Sequence, residues 1–243
     1  MRDYSDYFDV VYEDNHLIVV NKQSGVLVQG DRTGDAPLSD FVKEYLKEKY
    51  NKPGNVFAGV VHRLDRPVSG IVILARTSKA LERMNQLFKD REIQKTYWAL
   101  VKNKPKADAG TLIHWLIKDS EKNVTTAYAK EVKEGQRSEL NYQLLERIND
   151  CWLLQVKPIT GRPHQIRVQL ASMGCPIKGD LKYGYKDAAE DGSISLHARK
   201  VRFVHPVKKE LLTLTAPLPN NESWKAFRRS LENRVDTEYD NFE

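Results

Sequence analysis

GVVHRLDRPVSGIVILA, residues 59–75, is apolar at both ends and charged in the middle. The second apolar run, 70–75, has the β-branched density and length of a buried strand. The charged insert His62-Arg63-Leu64-Asp65-Arg66 is therefore a loop feeding that strand. It sets one carboxylate between two guanidiniums. Nearby positive charge favours the ionised form of an Asp. Such a carboxylate suits a nucleophile or the stabilisation of a cationic transition state. A surface salt-bridge cluster ahead of a strand fits the same residues.

Working outward, 10–21 predicts a strand pair around the turn Glu13-Asp14-Asn15. Gly25 precedes a short strand expected at 26–28. Pro37 suits the first turn of a helix whose apolar face is Leu38, Phe41, Val42, Tyr45 and Leu46. Thr77 or Ser78 caps a second helix, with Leu81, Met84, Leu87 and Phe88 as its apolar face. Strands are predicted at 96–101, 111–117, 138–146, 152–157, 195–204 and 211–215. Ile166, Leu170 and Met173 share a helical face that Gly174 closes. A last amphipathic helix covers 223–231, ahead of an acidic end over 235–243. Strands outnumber helices and do not alternate with them. The expected class is α+β, a single domain over 1–234 with a large, mostly antiparallel sheet and two lobes around a cleft.

Composition sets bounds. The 243 residues are 40% hydrophobic and 30% charged, which excludes a disordered tail or a fibrous repeat. The net charge is +6, from 39 basic and 33 acidic side chains. The acidic end holds four of those carboxylates and no Lys or Arg; without it the balance is 39 against 29, or +10. That permits a nucleic-acid partner. Two cysteines, Cys151 and Cys175, form no CxxC pair, and the six histidines show no metal-ligand spacing. Glycines 174 and 179 have phosphate-loop spacing, but Asp180-Leu181 stands where Lys-Ser/Thr is required. The charged start of the chain has no apolar signal segment, and a cytoplasmic protein is expected.

Two further segments carry chemistry. Residues 160–167, TGRPHQIR, open a helix with Arg162, His164 and Arg167, donors suited to phosphates or a carboxylate. A basic, solvated helix start fits them too. In 94–101, alternation puts Lys95, Tyr97 and Ala99 on one face of a strand and Thr96, Trp98 and Leu100 on the other. Tyr97 could line a cleft and stack on a base, or be a half-buried sheet tyrosine.

Taken together, the segments resemble the RluA family of pseudouridine synthases. HRLDRPVSG at 62–70 is similar to that family's HRLD-x-x-TSG loop. VVNKQSGVLV at 19–28, KTYWALV at 95–101, TGRPHQIRVQL at 160–170, GCPIKGDLKYG at 174–184 and SLHARKVRFVHP at 195–206 follow in the family's order. Gln23, Val68 and Pro163 depart from the usual residues but remove no group with an expected chemical role. The chain begins directly in the catalytic region, so no N-terminal RNA-binding module is expected.

The resemblance implies an isomerase acting on RNA, ribosomal or transfer, with no cofactor and no metal; nothing in the sequence marks an oligomer, and a monomer is the default expectation. It implies Asp65 as the catalytic carboxylate, Arg167 as its partner and Tyr97 packed on the target base. It also implies Arg63 filling the gap left by a flipped nucleotide. Arg66, Arg162 and His164 are substrate-binding candidates, with Lys178 and Lys182 further possible phosphate contacts. Three rival expectations are a non-catalytic RNA-binding module, which has no need of Asp65, a metal-dependent hydrolase, and a protein-binding scaffold with no RNA dependence.

Overall fold

The structure is a computed structural model and describes residues 2–31 and 33–232. The acidic end expected at 235–243 lies outside the described residues.

The chain runs β1 (Phe8–Glu13), β2 (Leu17–Lys22), α1 (Leu38–Lys49), β3 (Gly59–Val60), β4 (Ser69–Ala75), α2 (Ser78–Lys89) and β5 (Gln94–Val101). It continues β6 (Ala109–Asp119), β7 (Val124–Tyr128), β8 (Gln136–Ile148), β9 (Cys151–Pro158) and α3 (Gln165–Ser172). A single 3-10 turn at Leu181–Tyr183 precedes β10 (Leu196–Val204), β11 (Leu211–Thr215) and α4 (Glu222–Glu232). The eleven strands among the described residues form one sheet, ordered β1-β2-β4-β10-β5-β9-β8-β6-β7, with β11 on β10 and β3 on β4. Every pairing is antiparallel except β10 with β4. The α+β class and the large, mostly antiparallel sheet are as expected. The sheet is continuous, so no break in it marks off two lobes.

Local chemistry places the elements. Thr77 is the residue that caps α2, its hydroxyl accepting from the Ala80 amide at 3.1 Å. Leu38, Val42, Tyr45 and Leu46 of α1 are buried as the periodicity requires. They join β2, β4 and Met84 in the main core. On β5 the alternation holds. Ala99 and Val101 enter the main core, while Trp98 and Leu100 face a second cluster with Trp224 and Phe227 of α4.

Two expectations fail locally. Residues 26–28 form no strand, because their carbonyls are engaged elsewhere. Val26 O accepts from the Lys22 ammonium and Leu27 O from the Leu38 amide. β7 was not expected. Its residues Val-Thr-Thr-Ala-Tyr give little hydrophobic alternation, and the pairing with β6 supplies what the pattern does not.

The parallel contact is short: His197 sits opposite Ser69 and Ala198 opposite Gly70. Gly70 has φ +112°, and a Cβ there would lie 2.4 Å from the Ala198 carbonyl oxygen. Next to it the Ser69 hydroxyl and His197 Nδ1, both buried, are 2.9 Å apart. Gly70→Ala is expected to cost about 3 kcal/mol or more, combining backbone strain with overpacking. Urea unfolding checks this, and an unchanged midpoint would mean the two strands approach less closely.

Candidate active site

The loop between β3 and β4 carries Asp65. Leu64 and Val68 are buried and anchor it. The Val68 amide donates to Asp65 O at 3.0 Å, closing a turn. Gly25 N donates to Arg66 O at 2.8 Å and Ile194 N to Pro67 O at 3.1 Å, so the loop is tied to both neighbouring segments. Its side chain remains 29% exposed, open to a substrate.

Arg167, on α3, is buried and reaches Asp65 across 102 positions of sequence: Nη1 donates to Oδ2 at 2.9 Å. Its other edge is a two-point fork on Asp180, with Nε to Oδ2 at 2.7 Å and Nη2 to Oδ1 at 2.8 Å. Burial alone would lower the guanidinium's pKa. The hydrogen bonds and charge of Asp180, together with Asp65, instead raise it above its usual value. Paired, hydrogen-bonded geometry of this kind is what makes buried ions tolerable. Asp180 is delivered by the segment before the 3-10 turn, which runs beside the end of β5. There Ile177 bridges Val101, and Lys178 N donates to Leu100 O at 2.8 Å.

His164 caps α3 from the left-handed region, at φ 54°. It is buried, with Nε2 3.8 Å from Asp65 Oδ2 and Nδ1 2.7 Å from the Tyr183 hydroxyl. Burial pushes its pKa down to about 4, assisted by Arg167, Lys182 and Lys118 and opposed by Asp65. It is a neutral imidazole at pH 7. Tyr97, half-buried on β5, lines a pocket with His62, Phe88, Lys95 and Ala198. Burial and the charge of Asp65 raise its hydroxyl's pKa above the usual range. Tyr97 is therefore a phenol at neutral pH, offering a ring face and a donor but not a phenolate base.

Of the four arginines expected near Asp65, only Arg167 meets its carboxylate. Arg63 and Arg162 are exposed. Arg66 turns outward, pairing with Asp35 at 2.8 Å and donating to Gly25 O at 2.9 Å. Lys182 donates to Asn123 O at 2.9 Å. Three site residues were given no role from the sequence. Asp180 is one, hidden between two lysines in a segment that reads as basic. Tyr183 is another, its ring under the Arg167 guanidinium at 5.0 Å.

Lys22 is the third. Fully buried, its ammonium donates to the carbonyls of Gln23, Val26 and Arg66 at 2.9, 2.8 and 3.3 Å. It thereby pins the Asp65 loop to the β2 exit. Burial pulls its pKa down to about 7, against the attraction of Asp65. An unfolded lysine keeps its proton to about pH 10.4. Between those values the unfolded chain binds more protons here, so this group's contribution to stability rises with pH across that window. Lys22→Met is expected to remove the rise. Urea unfolding at about pH 7 and about pH 9.5 tests it, and an unaltered slope in the variant would exclude Lys22 as the source.

The family described as RNA pseudouridylate synthase matches residues 16–172. The Ribosomal large subunit pseudouridine synthase C of Vibrio cholerae is 36% identical over 215 residues, covering 86% of this chain and 65% of that protein. The protein of the same name from Yersinia pestis is 35% identical over 220 residues, covering 87% and 66%. The chain thus spans just under two thirds of the length of these relatives, 65% and 66%. The solved structure of Human RNA Pseudouridylate Synthase Domain Containing 4 has the same fold, with a TM-score of 0.73 at 24% identity over 87% of this chain and 88% of that one. Human RNA Pseudouridylate Synthase Domain Containing 1 gives 0.69 at 23% identity over 92% and 88%.

Proposed function

The chain belongs to the RNA pseudouridylate synthase family, and on that premise we propose that it isomerises uridine within RNA to pseudouridine. The observation that carries the proposal is the partly exposed Asp65 carboxylate, held by Arg167 at 2.9 Å and near enough to Tyr97 for its charge to raise the pKa of that hydroxyl.

The reaction breaks the N1–C1′ bond, turns the base and joins C5 to C1′. C5 gives up its hydrogen and N1 takes one, so atoms and electrons balance without an oxidant or reductant. Leaving of the base builds oxocarbenium-like charge at C1′, which an adjacent carboxylate stabilises, as in glycoside hydrolysis. Asp65 is that carboxylate, and the Arg167 hydrogen bond at 2.9 Å holds it aimed. The target nucleotide must leave its stack to reach it. In this reading Tyr97 supplies a face for the flipped base, and Arg63, exposed on the Asp65 loop, enters the vacated gap. Arg66 and Arg162 are exposed cations for the RNA backbone. Ribosomal RNA is the favoured substrate class, since the relatives' names specify the large ribosomal subunit. The catalytic unit is residues 1–234, acting as a monomer in the cytoplasm. No helix among the described residues is long and apolar enough to cross a membrane.

RNA transcripts carrying 5-tritiated uridine test the reaction, because isomerisation releases the C5 hydrogen to water. Tritium release in EDTA with the RNA left uncut is expected. Cleavage of the RNA would point to a hydrolase, and binding without release to an RNA-binding module.

A further inference from the structure

A chain of polar contacts leads from the sheet edge to Asp65. The Thr125 amide of β7 donates to the Tyr183 hydroxyl oxygen at 2.8 Å. That oxygen is 2.7 Å from His164 Nδ1, and His164 Nε2 is 3.8 Å from Asp65 Oδ2.

Proton accounting along this chain selects one arrangement. A backbone amide can only donate, so one lone pair of Tyr183 is taken. The Arg167 guanidinium lies over the Tyr183 ring and offers donors, not acceptors. The Thr125 hydroxyl, which donates to Pro163 O at 3.1 Å, also meets Tyr183, but His164 Nδ1 at 2.7 Å is the stronger acceptor and takes the phenol's hydrogen. A neutral imidazole has a single ring proton, which then sits on Nε2, facing the carboxylate. The opposite tautomer would aim a bare nitrogen lone pair at a carboxylate oxygen. His164 also holds a left-handed backbone, uncommon for a residue with a side chain and of the kind that persists where surroundings dictate it.

We propose that His164 is a positioning residue: Tyr183 holds it as the Nε2–H tautomer, and it acts with Arg167 as a second donor on Asp65 Oδ2. Both donors converge on Oδ2, which leaves Oδ1 as the oxygen that meets the nucleoside. The 3.8 Å separation exceeds a hydrogen bond, and catalytic contacts of this kind commonly tighten once substrate is bound. The role differs from the phosphate contact that the sequence suggested for this histidine. Its catalytic half rests on the isomerase function proposed above.

Long-range proton–nitrogen NMR of the nitrogen-15-labelled full chain reads the tautomer directly. The wild type is expected to show Nε2 protonated and Nδ1 bare, and Tyr183→Phe to shift population toward Nδ1–H. A wild-type ring protonated on Nδ1, or on both nitrogens at neutral pH, would overturn the proposal. In single-turnover tritium release, His164→Ala and Tyr183→Phe are expected to slow the step about tenfold to a hundredfold with RNA affinity unchanged. His164→Gln, whose amide nitrogen can reach the Nε2 position, is expected to recover most of the rate. Weaker RNA binding at an unchanged rate, or no recovery in a folded His164→Gln, would also overturn it. Absence of tritium release from the wild type would refute the isomerase and the catalytic half together, while the NMR measurement still decides the tautomer.

Discussion

Asp65→Asn is expected to lower tritium release from labelled RNA by about 10⁴-fold or more, the scale seen when a charged member of a catalytic set is neutralised. The substitution keeps the size of the side chain and removes the charge that, in the proposed mechanism, answers the developing cation at C1′. Stability is expected to change by less than about 1 kcal/mol, as for a partly exposed ion pair. Arg167 is not stranded, because its fork on Asp180 is independent of Asp65. Turnover within tenfold of wild type would remove Asp65 from the mechanism.

Arg167→Met is expected to fail in two ways at once. Asp180 is only 1% exposed, and the guanidinium is its ion-pair partner. Deleting one side of a buried pair strands the other and costs about 3–5 kcal/mol. Turnover falls as well, because Asp65 loses the donor that orients it. The double variant Arg167→Met, Asp180→Leu separates the effects. Replacing both charges by apolar groups is expected to restore most of the stability while leaving turnover abolished. Urea unfolding and tritium release are the two measurements. A single variant as stable as wild type would show that Asp180 does not depend on Arg167. A double variant that regained activity would show that Asp65 needs no guanidinium.

Legibility followed the range of the interaction. β11 spans 211–215 as the sequence predicts, and β4 and β10 differ from expectation by one residue at the start. In these strands and in α1, side-chain pattern and tertiary burial agree. Residues 26–28 carry an equally good pattern, but a lysine four positions upstream takes the Val26 carbonyl and the strand is lost. The site shows the same limit. Adjacency in sequence suggested Arg63 and Arg66 as companions of Asp65. Neighbouring side chains on a tight turn diverge, however, and the ion-pair partner comes from α3. Asp180 could be found only by knowing that its segment runs alongside β5, which no local signal announces.

The order of the sheet has a kinetic consequence. β10 lies between β4, which follows the Asp65 loop, and β5, which carries Tyr97, yet it is the tenth strand to be synthesised. Until residues 196–204 emerge from the ribosome, β5 presents an unsatisfied edge over Gln94–Ala99, β4 lacks its partner at Ser69 and Gly70, and the strand that sets their working separation is missing. The nascent chain thus carries an adhesive, incomplete sheet from the synthesis of β5 to that of β10. Sequence-distant pairings of this kind also give a high contact order, so the expected folding time is milliseconds to seconds rather than microseconds. Catalytic competence then appears in one late step, when the central strand docks.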